Sequence, residues 1–69
     1  MERVTVKSSN IASVGYDTAS SELEVEFNDK SIYLYYSVPS TEHSNLMNAK
    51  SVGAYFASHI KNKYSFKKL

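Results

Sequence analysis

The groups in this chain that could move protons, attack a substrate or hold a metal are two histidines, His43 and His59, and seven carboxylates; cysteine is absent. Nucleophilic catalysis of the serine type needs a hydroxyl, a histidine and an acid in mutual contact. His43 follows Glu42 directly in a segment read as helix, where successive side chains point about 100 degrees apart and do not face one another. His59 falls on or beside the apolar stripe of a second helix, the place of a structural histidine rather than a base. Glu22, Glu24 and Glu26 line one side of a strand at spacings of about 7 Å, in range for paired-carboxylate chemistry. That side is open to water, so nothing drives their pKa values apart as such chemistry requires. Two histidines and scattered acids offer no convergent metal spacing. With Gly15 and Gly53 as the only glycines, no phosphate-cradling loop can be written. The chain is therefore read as no enzyme, with no metal and no cofactor.

Binding remains. Lys61, Lys63, Lys67 and Lys68 have Tyr64 and Phe66 interleaved, and such a mixture can neutralise phosphates while stacking on bases. The net charge of +1 hides an asymmetry: residues 1–43 hold three basic and seven acidic side chains, whereas residues 44–69 hold five lysines and no acid. A domain so polarised steers an anionic partner to one end, although lysines also simply solvate a helix end and a tail. The expected nucleic-acid contacts are Lys61, Lys63, Tyr64, Lys67 and Lys68, with tRNA-like RNA as the partner. Four phosphate contacts would make log affinity fall with log salt at a slope of about −3. Tyr33 and Tyr35 form a second candidate if their rings face outward, but that face also carries the three glutamates, which repel a phosphate backbone. A reading from another class is a protein-interaction module of phage or prophage origin that docks on a host protein through its sheet face or edge. A weak homodimer that buries a tyrosine patch is a third, beside the monomer.

The elements that must position these residues follow from patterning. Sixty-nine residues make one domain, 1–69, and a domain of this size buries only about 60% of its unfolded surface. No disulfide can staple it. No apolar run approaches the roughly 18 residues of a membrane span, and no signal-peptide core follows Met1, so a cytoplasmic location is expected. Thr5 and Val6 lead into the turn-forming Ser8-Ser9-Asn10; Ile11 to Asp17 leans to strand, with Gly15 marking a bulge or a close backbone approach. Glu22 to Phe27 alternates without a fault, placing Leu23, Val25 and Phe27 on one face. Ile32 to Val38 is the third strand. A two-residue turn at Asp29-Lys30 would put Ile32, Leu34 and Tyr36 on the buried face; a three-residue turn with a bulge at Lys30 would bury Tyr33 and Tyr35 instead. Val38-Pro39 ends the sheet. Ser40 is then the expected cap of a short helix to about Asn48, and Ser51 caps a second helix with Val52, Tyr55, Phe56, His59, Ile60 and Lys63 on one stripe. The expected fold is α+β, a three-stranded antiparallel meander followed by two helices packed on one face (β-β-β-α-α), with a core spanning about 6–64 and a basic tail at 65–69.

Assembled in order, the segments Ser8-Ser9-Asn10-Ile11, Val14-Gly15-Tyr16-Asp17, Leu23-Glu24-Val25-Glu26-Phe27, Tyr33-x-Tyr35, Val38-Pro39, Leu46-x-x-Ala49-x-Ser51-x-Gly53-x-Tyr55-Phe56 and Ile60-Lys61-x-x-Tyr64 resemble the KTSR domain. That family is named for its occurrence at the C-terminus of some lysyl-tRNA synthetases and also forms short stand-alone proteins of bacteria and their phages. The resemblance implies an RNA-binding role, inferred from that company. Its members usually have glycine where this chain has Lys30, which favours the three-residue turn and Tyr33 and Tyr35 in the core. They often have asparagine where this chain has Ala57.

Overall fold

A computed structural model describes all residues, 1–69. Its chain order is β1 (Arg3–Thr5), β2 (Ile11–Asp17), β3 (Glu22–Phe27), β4 (Ile32–Tyr35), α1 (Ser40–Met47), α2 (Val52–His59) and β5 (Phe66–Lys68). The sheet has five antiparallel strands in sequence order, β1 through β5. The expected three strands are thus β2, β3 and β4, and both outer strands are additions. β1 and β5 are three residues each, too short for a pattern of their own, and they form because each finds a ladder on a neighbouring strand. The expected basic tail is therefore a strand: Tyr33 pairs with Lys68, Leu34 with Lys67 and Tyr35 with Phe66.

The β3–β4 turn has three residues. Lys30 adopts φ 75°, its amide donates to the Phe27 carbonyl at 2.9 Å, and the Phe27 amide donates to the Ser31 carbonyl at 2.9 Å. This sets Val25 opposite Tyr33 and Leu23 opposite Tyr35, so both tyrosines share the face of Leu23 and Val25 and lie under the helices. β4 ends at Tyr35, short of the expected Val38; Ser37 turns the chain with φ 56°, and the Val38 amide bonds to the Ser21 carbonyl. The core is Ile11, Val14, Leu23, Val25, Tyr35, Val38, Leu46, Phe56 and Ile60. Gly15 serves a close approach, because a Cβ there would sit 2.9 Å from the Glu2 carbonyl at the start of β1; the bulge of β2 lies instead between Ile11 and Ser13.

The helix caps divide. Ser51 caps α2 as expected, accepting from the Ala54 amide at 3.2 Å, whereas Ser40 is the first residue of α1 and the cap position is Pro39, with no side-chain bond. Phe56 and Ile60 carry the stripe of α2 into the core, but His59 is exposed and stacks on Tyr55 at 4.2 Å. Lys61 and Lys63 fall in the turns after α2 rather than in its last turn.

Glu42 of α1 closes the assembly. One carboxylate oxygen accepts from the Tyr55 hydroxyl of α2, and the other accepts from the Tyr64 hydroxyl at 2.8 Å and from Lys63 at 3.4 Å. The Tyr55 hydroxyl bond holds the Glu42 carboxyl below its ordinary value of 4.5, with the Tyr64 and Lys63 bonds adding to the effect against burial. Burial and the same carboxylate push Tyr64 up from 10.0 to about 12. In a fold with no disulfide, this polar staple fixes both helices and the return to β5 relative to one another.

Two measurements test these features. Lys30→Gly relieves a side chain in the left-handed region and is expected to raise stability by about 1 kcal/mol in urea unfolding; an unchanged or lower midpoint would mean that the turn carries no strain. Glu42→Gln is expected to cost about 1 kcal/mol or more near neutral pH. Because the folded carboxyl sits below its ordinary 4.5, the wild-type advantage is complete above that value and fades as pH falls through the folded one. Because Tyr64 is raised to about 12, its share is complete below 10.0 and fades as pH rises from there toward 12. A wild-type and variant pair with parallel stability–pH curves would remove the staple.

Candidate functional site

The five expected nucleic-acid contacts do not form one surface. Alternation along β5 sends Lys67 to the outer face, beside Leu34, and Lys68 to the helix side, where its Nζ lies 6.0 Å from the centre of the Tyr33 ring. Lys63 leans on Glu42, and Tyr64 is half-buried with its hydroxyl committed to the same carboxylate. Lys61 lies in the wall of a groove whose floor includes Tyr33.

The outer face is not the bare acidic face expected of Glu22, Glu24 and Glu26. Arg3 of β1 reaches across β2, donating from its Nη1 to Glu24 at 2.9 Å and from its Nε to Ser13 at 3.1 Å, while the Ser13 hydroxyl donates to Glu26 at 2.8 Å. Two of the three glutamates are thereby engaged. The histidines are equally committed: His43 stacks on Tyr16 at 4.6 Å, and burial lowers its pKa. No three of the histidine, aspartate and glutamate side chains converge as metal ligands.

The concave feature of the molecule is an open groove of about 640 Å³ on the helix side of the sheet. One wall is α2 and the turn after it, contributing Gly53, Ala57, Lys61 and Asn62; the other is the Ser9–Asn10 loop with Asn28, Asp29 and Ser31 of the β3–β4 turn. The floor is aromatic, built from Phe27, Tyr33, Tyr35, Phe56 and Phe66. These rings form a closed circuit with centroid distances of 5.5 Å for Phe27–Tyr33, 5.7 Å for Tyr33–Phe66, 5.6 Å for Phe66–Tyr35, 5.5 Å for Tyr35–Phe56 and 5.5 Å for Phe56–Phe27. Edge-to-face and tilted contacts within the circuit hold the rings in place. Phe66 remains 54% exposed while Tyr35 is 3% exposed, so the floor runs from solvent into the core.

The sequence supplied the parts of this groove without its outline. Tyr33 and Tyr35 pointed either to core or to an outward platform, and they are core-side residues that also floor a cleft. Its walls come from three separated segments whose meeting depends on the β3–β4 register and on β5. Close packing of α2 on the Ser8–Asn10 loop shapes one end, since a Cβ at Gly53 would meet the Ser8 Oγ at 3.0 Å. Ala57, where the resemblance expects asparagine, lines the wall.

Comparison with known proteins bears on the family and the fold. The KTSC domain matches residues 7–64. An uncharacterized protein of Stutzerimonas stutzeri is 41% identical over 56 residues, 81% of this chain and 79% of that one. A lysine–tRNA ligase of Trichormus variabilis is 39% identical over 54 residues, which span 78% of this chain but only 10% of the ligase. The crystal structure of a KTSC domain protein from Yersinia pestis aligns with a TM-score of 0.96 at 40% identity, covering 99% of this chain and 96% of that one. KTSR, the name used above, is a variant of the same family's name. With its match running across most of the chain and a solved relative sharing the whole fold, this protein belongs to the KTSC domain family.

Proposed function

We propose that this protein is a non-enzymatic module that binds single-stranded RNA, stacking an unpaired base in the aromatic groove. The observation that carries this reading is the five-ring floor with Lys61 in its wall and Lys68 over Tyr33. Unpaired bases are recognised by stacking on aromatic side chains with cations nearby for the phosphates. Asn10 and Asn62 in the walls add amide donors and acceptors suited to base edges, while the Asn28 amide donates to the Ser8 and Ser9 carbonyls and offers only its oxygen. The presence of a similar segment in proteins named lysine–tRNA ligases supports an RNA partner.

Strand addition by a protein partner is the other use such a small sheet offers. Its free edges, β1 and β5, are three residues long, and β5 carries two lysines. Short, charged edges resist pairing. The groove is the better-equipped surface.

Titration with unstructured RNA oligomers and with tRNA at a series of salt concentrations tests the proposal. With Lys61 and Lys68 as the phosphate contacts, the slope of log affinity against log salt is expected to be about −1.4, half the value for four contacts. Phe66→Ala, at an exposed position, is expected to weaken binding by about 1–3 kcal/mol. Lys61→Ala and Lys68→Ala should each flatten the slope, while Lys63→Ala and Lys67→Ala leave it unchanged. Absence of binding at low salt, or equal effects of Lys67→Ala and Lys68→Ala, would defeat the groove as the RNA site.

A further inference from the structure

Asp29 is the only carboxylate among the residues lining the groove. Its Oδ1 accepts from the Ser31 amide at 3.0 Å and from the Ser31 hydroxyl at 2.6 Å, which fixes the side chain at the rim, while its Oδ2 takes no hydrogen bond. The Ser31 bonds, helped by nearby Lys68, hold its pKa below the ordinary carboxylate value, so at neutral pH the group is ionised and can only accept hydrogen bonds. An anion placed where an anionic ligand must enter is unfavourable unless the ligand presents a donor to it. In a nucleotide chain stacked on the floor, the donor adjoining the phosphate is the ribose 2′-hydroxyl. That hydroxyl is what separates RNA from DNA at a protein site, and acidic side chains accept from it in nucleotide-binding folds.

Resting on the reading of the groove as a site for an unpaired base, we propose that Asp29 is its specificity-determining residue, accepting a hydrogen bond from a ribose 2′-hydroxyl and so selecting RNA over DNA. DNA meets the same charge with no donor to offer, so the carboxylate both rewards the ribose and disfavours the deoxyribose. Ser31 is a positioning residue, acting by holding Oδ1 while Oδ2 is left without a hydrogen bond.

The test compares three short oligomers with identical bases: oligouridine, oligodeoxyuridine and 2′-O-methyl oligouridine, the last keeping the ribose pucker but lacking the donor. Wild-type protein is expected to bind oligouridine at least about fivefold more tightly than either of the others, the size of one charge-assisted hydrogen bond at an exposed rim. Asp29→Ala is expected to bring the three affinities together, with DNA binding unchanged or tighter. Asp29→Asn keeps the turn, because an amide oxygen still accepts from Ser31, and is expected to reduce the RNA preference at least about twofold. Wild-type binding of all three with equal affinity would overturn the role of Asp29 and leave the groove reading standing. So would a preference for RNA unchanged in both variants, with their folds confirmed by thermal melting. Failure of wild type to bind any oligomer would overturn the groove reading and this proposal together.

Discussion

The left-handed backbone at Lys30 decides which side of the hairpin each later residue occupies. A three-residue turn offsets β4 against β3 by one position relative to a two-residue turn, and a one-residue offset exchanges the faces of a strand. Because Lys30 takes φ 75°, Tyr33 and Tyr35 go under the helices and Ile32 and Leu34 go out. Everything downstream inherits that choice. β5 pairs with β4, so its Phe66 joins the aromatic side and its Lys67 the outer one. With the other register, Tyr33 and Tyr35 would face outward and the five-ring floor of the groove would not form.

The same small core must both hold the fold together and present a surface. Nine buried side chains close the centre, and the usual staples of a domain this size are missing, since there is no cysteine and no converging metal ligands. Polar devices take their place. Glu42 ties α1 to α2 and to the chain entering β5, and Arg3 ties β1 across β2 to Glu24 of β3. With the helices anchored by Glu42 at one side, α2 need not cover the whole aromatic face, and the uncovered part is the groove. The aromatic residues thus serve packing with one part of their surface and stay available with another, as amphipathic rings at a core edge can.

How much of this was legible depends on whether the signal was local. The alternation in β3, the stripe of Phe56 and Ile60 on α2 and the cap at Ser51 are each set by a few neighbouring residues, and each stands in the structure, whereas the end of β4 falls at Tyr35, before the Val38-Pro39 break. The glycine that the family resemblance implies at the position of Lys30 favoured this register, and with it the placement of Tyr33 and Tyr35. β1 and β5 were not legible because three residues cannot show a period, and edge strands borrow their order from the strand beside them. The groove was not legible because its walls are joined only by long-range pairing. His59 was misplaced by one position on the stripe, since the stripe enters the core through Phe56 and Ile60 and leaves the histidine stacked on Tyr55 at the surface.

Charge shows most clearly how folding rewrites a linear reading. The lysine-rich C-terminal third suggests a cationic tip, but strand alternation cannot place Lys67 and Lys68 on one side. Lys67 lies across Leu34 from Glu24, two strand spacings away or roughly 10 Å, within reach of partial screening of both charges. Lys63 is drawn to Glu42. What remains is Lys61 in the groove wall and Lys68 over the Tyr33 ring, with Asp29 as counterweight at the rim. Two cations cannot hold a polyanion by counterion release alone at physiological salt, so an anionic ligand on this surface must gain most of its affinity from ring contact. On the proposed reading, the first criterion is whether a flat, unpaired group is offered, and total negative charge is the lesser one.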